Sequence, residues 1–327
     1  MIEHMRILAF GATLMLAACA APAPPLGQQA STVASTASPT GSARPTTALP
    51  ASQRIEDLVA QFRYDASSPP AVRQMSASRA GAIDVTEIEY GSARGAIATA
   101  TLLVPDGTSR RPALVMSPGS NQGRGELRNE GLALATDLSA VVLIVDQSQI
   151  AMHRERVWTF TPQDREEAIA SVIDLRRGLD LLAARPDVDA ARLGVHGFSY
   201  GAWLSAITAA IDPRVSTAVL RSGGPQILAQ LAGPARSTAA GFASYLETMA
   251  TVDQSRYAPA IPSATAVLVQ NGTADQTYPA EGVRAWQAAI GGAKTARTYD
   301  GAGHDLDAAA NSERLVFLRA RWQPRTP

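Results

Sequence analysis

The chain is poor in several residue types, and each shortage argues against a class of protein. Its 327 residues include one cysteine, Cys19, so no disulfide bond can form within the chain. One cysteine and four histidines also argue against a structural zinc site, which needs four such ligands together. Lysine occurs once, at Lys294, and 29 cationic residues balance 29 acidic ones without any basic block. This balance argues against nucleic acid or another acidic polymer as a partner.

The N-terminal residues have the pattern of an export signal. Arg6 precedes an apolar run over residues 7–18, which is shorter than the ~20 residues that a membrane-spanning helix needs. The run leads into Leu-Ala-Ala-Cys, which resembles the lipobox of bacterial lipoproteins, where the signal is cut before a cysteine that is then lipidated. We therefore predict a signal peptide at residues 1–18 and lipidation of Cys19. An ordinary secretory signal with an incidental cysteine is the alternative.

The predicted anchor places the protein in the bacterial cell envelope. The residue after the cysteine is Ala20 rather than aspartate, which in lipoproteins of two-membrane bacteria favours the outer membrane over the inner one. The protein would then face the periplasm or the exterior. Residues 19–52 are mostly Ala, Pro, Ser and Thr, with Arg44 as the single charge. Such a segment cannot bury a core, so beyond the lipidated cysteine it is predicted to be a disordered tether.

Apolar and alternating runs follow a lead-in at residues 53–79 and predict one large domain at residues 80–327. Eight of these runs are predicted strands: 84–90, 97–104, 113–117, 141–145, 193–196, 215–220, 266–270 and 296–299. Helical patterns lie between the later strands: 126–138, 164–184, 202–211, 280–290 and 308–322. Antiparallel strands followed by strand–helix alternation predict an α/β fold, with a mostly parallel eight-stranded sheet and helices on both faces. Residues 223–262 interrupt the alternation and are predicted to be a helical insert, a candidate lid.

The sequence Gly197-Phe198-Ser199-Tyr200-Gly201 follows one predicted strand and leads into a predicted helix. This G-x-S-x-G pattern is typical of a nucleophile elbow, a sharp strained turn that lifts the serine hydroxyl clear of the sheet. Side chains two positions before and after the serine would collide, so glycine is required there. Ser199 is therefore the predicted nucleophile. A glycine- and serine-containing turn without a catalytic role is the alternative.

A serine nucleophile needs a base, and the base needs an acid that orients it. In folds with such an elbow, the acid and then the histidine follow later strands. Asp275 ends the loop after the strand predicted at 266–270, and His304 lies in a glycine-containing loop after the last predicted strand. We predict Asp275 as the acid and His304 as the base, with a helix cap and a plain loop histidine as the alternatives. Asp300 and Asp305 flank the histidine, where residues rarely face each other productively.

The oxyanion of a tetrahedral intermediate needs two backbone N–H donors. The elbow predicts the Tyr200 N–H as one donor. The loop after the strand at 113–117 predicts the Ser120 N–H as the other, with Asn121 as second choice and a plain glycine turn as the alternative.

Other polar residues near these motifs are interpreted as structural. His196 lies within the elbow strand and is predicted to be a core histidine, and Asp146 is predicted to anchor a loop. His153 either lines the pocket or is a solvated loop residue. No cofactor and no metal are predicted.

Taken together, the motifs resemble the α/β-hydrolase superfamily over residues from about 80 to 322. Residues 187–201, Asn271-Gly272-Thr273-Ala274-Asp275 and Gly301-Ala302-Gly303-His304 are similar to its dienelactone-hydrolase-like and acetyl-xylan-esterase-like branch. Dienelactone hydrolases proper use a cysteine nucleophile, whereas this chain has a serine. The resemblance implies the fold and the triad and says little about the substrate.

The expected function is that of a lipid-anchored serine hydrolase, which cleaves carboxylic esters through an acyl-enzyme. The insert at 223–262 is rich in Ala, Gly and Ser, so it offers little apolar surface to a long acyl chain. Short neutral acyl groups, in a small-molecule or polymer ester, are therefore favoured. The alternatives are a peptidase or amidase of the same fold, or a non-catalytic surface lipoprotein. The sequence gives no indication of the oligomeric state.

Overall fold

One nine-stranded sheet runs through the described part of the chain. Its strands are β1 (Val72–Ala80), β2 (Ile83–Gly91), β3 (Ile97–Pro105), β4 (Arg111–Ser117), β5 (Val141–Val145), β6 (Val188–Phe198), β7 (Val215–Arg221), β8 (Ala266–Gly272) and β9 (Ala293–Tyr299). They lie in the order β1-β2-β3-β5-β4-β6-β7-β8-β9. The pairs β1–β2, β2–β3 and β3–β5 are antiparallel, and all the remaining pairs are parallel. The predicted α/β class and mostly parallel sheet are thus confirmed.

The computed structural model describes residues 55–67, 69–92, 95–120, 123–147, 158–225, 227–278 and 280–322. The chain divides into two units, Met1–Pro45 and Thr46–Pro327, and every described residue belongs to the second. The predicted signal peptide, Cys19 and the whole tether therefore lie outside the described residues and stay predictions. Within the described ranges, no helix is long and apolar enough to cross a membrane.

The sequence predicted eight strands, whereas the sheet has nine. The strand that was missed is β1, because its residues show no apolar pattern. All its positions are exposed except Ala80, which is half-buried. The strand pairs with β2 from Val72 opposite Tyr90 to Ala80 opposite Ile83. Backbone pairing on an exposed hairpin needs no buried side chains, so the residues of β1 gave no periodic signal. The predicted lead-in at 53–79 consequently contains most of a strand of the sheet.

Nine α-helices lie in the described ranges: α1 (Ile55–Val59), α2 (Arg128–Leu138), α3 (Gln163–Ala183), α4 (Tyr200–Ile211), α5 (Leu228–Ser237), α6 (Phe242–Met249), α7 (Gln254–Tyr257), α8 (Ala280–Ala289) and α9 (Ala308–Trp322). Short 3₁₀ segments occupy Ala60–Phe62, Arg124–Leu127, Ala250–Val252 and Ala258–Ala260. The five helical patterns that separate the later strands thus correspond to α2, α3, α4, α8 and α9, with bounds that differ by a few residues.

An apolar core lies on each face of the sheet, as β4 illustrates. Ala113 and Val115 belong to one buried cluster together with residues of α3 and α4, and Leu114 and Met116 belong to the other with residues of α2 and α9. Successive side chains of a strand point to opposite faces, so a strand buried on both faces is apolar throughout. The helices on both faces hold the sheet rigid where its strands end.

The insert between β7 and β8 is helical, as predicted. Helices α5, α6 and α7 lie within it, and it is fastened to the helices beneath. The Tyr245 hydroxyl donates to Asp164 Oδ2 of α3 at 2.9 Å, and the Trp203 indole of α4 donates to the Val252 carbonyl at 2.5 Å. The function of this insert as a lid stays a prediction.

Lys294 lies at the start of β9 and is exposed. Its ammonium group donates to the carbonyls of Gln287 at 2.5 Å and Ala288 at 2.9 Å, both in the last turn of α8. The final carbonyls of a helix lack partners within the helix, so this lysine closes the C-terminus of α8.

Candidate active site

Ser199 lies at the turn between β6 and α4, in a backbone conformation that few non-glycine residues adopt. Its φ is 54° and its ψ is −115°. The Ser199 N–H donates to the Arg221 carbonyl at 2.9 Å, which ties the turn to the end of β7. The residue is 7% exposed. The elbow expected from the sequence is therefore present as a strained strand-to-helix turn with the serine at its tip.

The two glycines of the motif allow backbone segments to approach closely. A Cβ atom on Gly197 would lie 2.0 Å from the Gly201 carbonyl oxygen. A Cβ atom on Gly201 would lie 2.0 Å from the Ser117 carbonyl oxygen and 2.6 Å from that of Pro118. Any side chain at these positions would displace backbone rather than a flexible side chain. Gly201 thus seats the elbow directly against the loop after β4.

Asp275 and His304 are joined by a hydrogen bond between Asp275 Oδ2 and His304 Nδ1 at 2.8 Å. Their loops follow the neighbouring strands β8 and β9 and pack backbone to backbone. A Cβ atom on Gly272 would lie 2.1 Å from the Ala302 carbonyl oxygen, and the Ala274 N–H donates to that same oxygen at 2.9 Å. The glycine at the end of β8 therefore lets the acid loop reach the histidine loop.

The surroundings of Asp275 favour its ionised form. Burial acts to raise the pKa of this carboxyl, but the hydrogen bond with His304 and the backbone N–H groups of Thr277 and Tyr278 outweigh it. The pKa is therefore held below its ordinary value. The carboxylate is fixed by the Thr277 N–H, which donates to Asp275 Oδ1 at 2.7 Å. Asp275 thus caps the turn that follows it and also contacts the histidine.

Three side chains contact His304, two of them at its imidazole ring and one at its backbone carbonyl. The Phe198 ring centroid lies 5.1 Å from the centroid of the imidazole, and the Tyr278 ring stacks near it at 6.0 Å with an interplanar angle of 29°. The Ser222 hydroxyl donates to the His304 carbonyl at 2.5 Å. Because Phe198 directly precedes Ser199, these contacts bring the base loop to the elbow.

Tyr278 is a site residue that sequence reasoning missed. It is 5% exposed, and its hydroxyl lies close enough to Ser199 that the serine side chain acts to lower the pKa of the phenol. Burial raises the pKa of the Tyr278 phenol well above its ordinary value, so the hydroxyl keeps its proton. A Cβ atom on Gly224 would lie 2.4 Å from the tyrosine ring, so that glycine makes room for it. The one signal in the sequence is its position three residues after Asp275.

The loop after β4 lies against the elbow, as the predicted oxyanion hole requires. Ser120 lies in this loop and is half-buried, and Tyr200 is the first residue of α4, where backbone N–H groups lack partners within the helix. The Gln147 side chain donates to the Pro118 carbonyl and so holds the loop from the end of β5. Asn121, the second choice for the donor, lies outside the described residues.

The other polar residues named from the sequence have structural surroundings. Asp146 accepts from the Arg124 backbone N–H at 2.7 Å, so it anchors the segment that leads into α2. Asp300 accepts from the Thr273 hydroxyl at 3.1 Å on the exposed side of the loops, and Asp305 is exposed. His196 is fully buried in β6. His153 lies outside the described residues.

Within the described ranges, no group of three or more His, Cys, Asp or Glu side chains could hold a metal ion. The candidate site brings together Ser199, Tyr278, His304 and Asp275, with the loop at Ser120 beside it. Such an arrangement can activate a hydroxyl as a nucleophile and stabilise an oxyanion.

No protein-family model matches the chain, and no curated protein matches it significantly. Solved structures do. Acetyl xylan esterase 1 from Thermoanaerobacterium sp. JW/SL YS485 superposes with a TM-score of 0.69 at 19% identity, over 82% of this chain and 93% of that one. An acetyl xylan esterase from Paenibacillus sp. R4 gives 0.67 at 20% identity, over 81% and 92%. A glucuronoyl esterase from Solibacter usitatus gives 0.60 at 13% identity, over 83% and 93%.

The superpositions establish the fold of this chain as an α/β-hydrolase fold. At identities of 13% to 20% they show the architecture alone, and they leave the chemistry to the residues of the site. The resemblance that the motifs indicated is confirmed at this level.

Proposed function

We propose that the protein is a serine hydrolase that cleaves carboxylic esters through an acyl-enzyme. The observation that carries the proposal is the hydrogen bond between Asp275 and His304 at 2.8 Å, next to a strained serine elbow. A histidine held through one ring nitrogen by a carboxylate keeps its other ring nitrogen for the nucleophile. The names of the three structural neighbours, all esterases, favour ester hydrolysis over other acyl transfer.

In this mechanism each residue has a defined task. Ser199 attacks the acyl carbon while His304 takes its proton, and His304 returns that proton to the leaving alcohol. Asp275 orients the imidazole and stabilises its protonated form. The backbone N–H groups of Tyr200 and Ser120 stabilise the oxyanion. Water then hydrolyses the acyl-enzyme by the same steps.

We propose that the preferred acyl groups are short and neutral. On the insert, Leu231 is 44% exposed, but Leu228, Phe242 and Tyr245 are turned into the core, with exposures of 1%, 7% and 5%. These three side chains are therefore not available to cover a long alkyl chain, each CH₂ of which gains about 0.8 kcal/mol only when it is buried. A peptidase or amidase of the same fold is the alternative, and no observation favours it.

The decisive experiment combines a serine-directed probe with a series of p-nitrophenyl esters. Wild-type protein should react with a fluorophosphonate and cleave acetate to hexanoate esters with a higher kcat/KM than dodecanoate. Ser199→Ala should lose labelling and ester turnover by orders of magnitude, as removal of a triad nucleophile does. Ser205→Ala is the matched control, because Ser205 is a fully buried serine in α4 whose hydroxyl has no described partner.

Several results would contradict the proposal. Ester turnover in Ser199→Ala above about a tenth of the wild-type rate would remove Ser199 as the nucleophile. A preference for long-chain esters would contradict the substrate class. Amide cleavage as fast as ester cleavage would favour the peptidase alternative, and an unlabelled wild-type protein would favour the non-catalytic lipoprotein.

We also propose that the protein is anchored to the cell envelope through a lipidated Cys19. Cys19→Ser should move the protein from the membrane fraction to the soluble fraction with unchanged specific activity, because several acyl chains anchor a protein stably and their loss releases it. Mass spectrometry of the mature N-terminus checks the modification directly. An unmodified cysteine in the native protein would refute the anchor.

A further inference from the structure

A cavity of about 410 Å³ lies between α2 and α9, on the face of the sheet that these helices cover. The end of β7 forms its floor through Arg221. Glu130 of α2 and Arg314 of α9 line its walls together with apolar side chains, namely Ala133, Leu134 and Leu315. None of Ser199, Asp275 and His304 is among the described residues that line it. It is therefore a cavity apart from the three residues proposed for ester cleavage.

Two buried guanidinium groups reach this cavity and do not use all their donors. Arg314 is 2% exposed and Arg221 is 9% exposed. Arg221 donates from Nη1 to Glu130 Oε2 at 2.9 Å, and Arg314 donates from Nη1 to Glu130 Oε1 and from Nε to Gln270 Oε1 at 3.0 Å. Arg221 Nε and Arg314 Nη2 are buried and have no hydrogen-bond partner among the described residues, although the Arg221 guanidinium lies over the Phe198 ring at 4.0 Å. Buried N–H donors of a charged group are costly to leave unpaired.

The buried charges of the cavity do not cancel. Arginine side chains are cationic in proteins, so Arg221 and Arg314 supply two positive charges and Glu130 supplies one negative charge. Burial acts to raise the pKa of Glu130, but the cations around it outweigh burial and hold it below the ordinary value. His196, whose Nε2 lies 3.6 Å from Glu130 Oε1, is kept neutral because burial lowers its pKa to about 3. Glu126 is exposed and lies at the mouth rather than in the interior. The described residues of the interior therefore leave one positive charge.

We propose that this cavity binds the monoanion of a small carboxylic acid with a short apolar body. A carboxylate matches the fork of N–H donors on an arginine and carries the single negative charge that the interior lacks. The apolar body would lie against Ala133, Leu134 and Leu315. A volume of about 410 Å³ is within the usual range for small-molecule sites and leaves room for several carbon atoms.

Calorimetric titration of the wild-type protein with sodium butyrate tests the proposal, with butyramide as the neutral analogue and inorganic phosphate as a different anion. Butyrate should bind with a Kd on the order of millimolar, and butyramide and phosphate should bind at least about tenfold more weakly. Ala133→Trp places a large side chain at the exposed mouth of the cavity and should raise the Kd for butyrate at least about tenfold. Asn311→Trp, on the facing helix α9, blocks the same mouth from the other side.

Ala309→Trp is the matched control, because Ala309 is exposed on α9 and does not line the cavity. It should leave the Kd for butyrate within about twofold of the wild-type value. Butyrate binding that both plugging variants leave unchanged would place the ligand elsewhere and overturn the proposal. No butyrate binding up to about 100 mM, or equal binding of butyramide, would overturn it as well. Tighter binding of phosphate than of butyrate would refute the carboxylate as the ligand.

Discussion

At the scale of single residues, the site depends on how one strained serine is held. A non-glycine residue at the φ and ψ of Ser199 costs about 1–3 kcal/mol, so its surroundings must keep it there. Its N–H is held by the Arg221 carbonyl, and the Tyr278 hydroxyl lies near its side chain. Tyr278 also stacks near the His304 ring. A single tyrosine therefore lies near both the predicted nucleophile and the predicted base.

Tyr278→Phe should lower kcat for a short ester about tenfold, which is the scale expected when a buried hydroxyl that can hydrogen-bond to the reacting group is lost. The phenylalanine ring keeps the contact with His304, so the melting temperature should change little. Steady-state kinetics and thermal unfolding of the same preparations measure both effects. A kcat within about twofold of wild type would show that the hydroxyl does not act on Ser199 during turnover.

At the scale of elements, the site is assembled by loops that touch backbone to backbone. The elbow rests on the loop after β4 at Gly201, and the acid loop rests on the histidine loop at Gly272. All these loops leave the carboxyl ends of parallel strands, where open α/β sheets bind their ligands. A Cβ atom at Gly201 or Gly272 would meet backbone atoms, which cannot move aside as the end of a long side chain can. The close spacing of these loops therefore depends on glycine at both positions.

Gly201→Ala should therefore damage both stability and activity. The added Cβ atom would lie 2.0 Å from the Ser117 carbonyl oxygen, so the elbow and the predicted oxyanion loop must separate. Gly125→Ala is the matched control, since a Cβ atom there meets nothing within 4 Å. We expect a clear fall in melting temperature and in kcat for Gly201→Ala alone. Equal behaviour of the two variants in thermal unfolding and ester hydrolysis would contradict this account of the elbow.

At the scale of the whole molecule, the parts that were predictable from the sequence are those with a periodic or local signal. The buried strands show as apolar runs, and the elbow shows as a five-residue motif. Asp275 and His304 were predictable because each follows the correct strand, and their pairing is what the structure adds. Their catalytic roles, and that of Ser199, stay predictions until activity is measured.

Other features have no local signal because they depend on distant segments. β1 is a strand through pairing with β2 alone, so its exposed polar residues show no pattern. The cluster of Glu130, Arg221 and Arg314 joins three elements far apart in the chain, and no spacing of residues indicates it.

His196, which lies beside Glu130 of this cluster, predicts that the stability of the folded protein depends on acid. His196 is neutral in the folded protein, with a pKa lowered to about 3 by burial, and it gains a proton near pH 6.5 once unfolded. Between these values the unfolded state binds more protons, so the free energy of unfolding falls as the pH falls. From pH 7.5 to pH 5.0 this one histidine should remove about 2 kcal/mol of stability.

His196→Leu should therefore flatten the dependence of stability on pH. Neither imidazole nitrogen has a hydrogen-bond partner among the described residues, so an apolar side chain of similar size fits the site. Urea unfolding of both proteins at pH 7.5 and pH 5.0 isolates the effect, because all other titrating groups are common to them. Parallel losses of stability in the two proteins would disprove the assignment.

The position of the single lysine has a practical consequence for handling the protein. Lys294 lies at the amino end of β9, whereas the elbow and the acid and histidine loops leave the carboxyl ends of the parallel strands. Coupling chemistry that targets lysine side chains therefore has one attachment point, on the side of the sheet away from those loops. A support loaded in this way would hold each molecule through this one side chain, with the loops of the candidate site on the opposite side of the sheet.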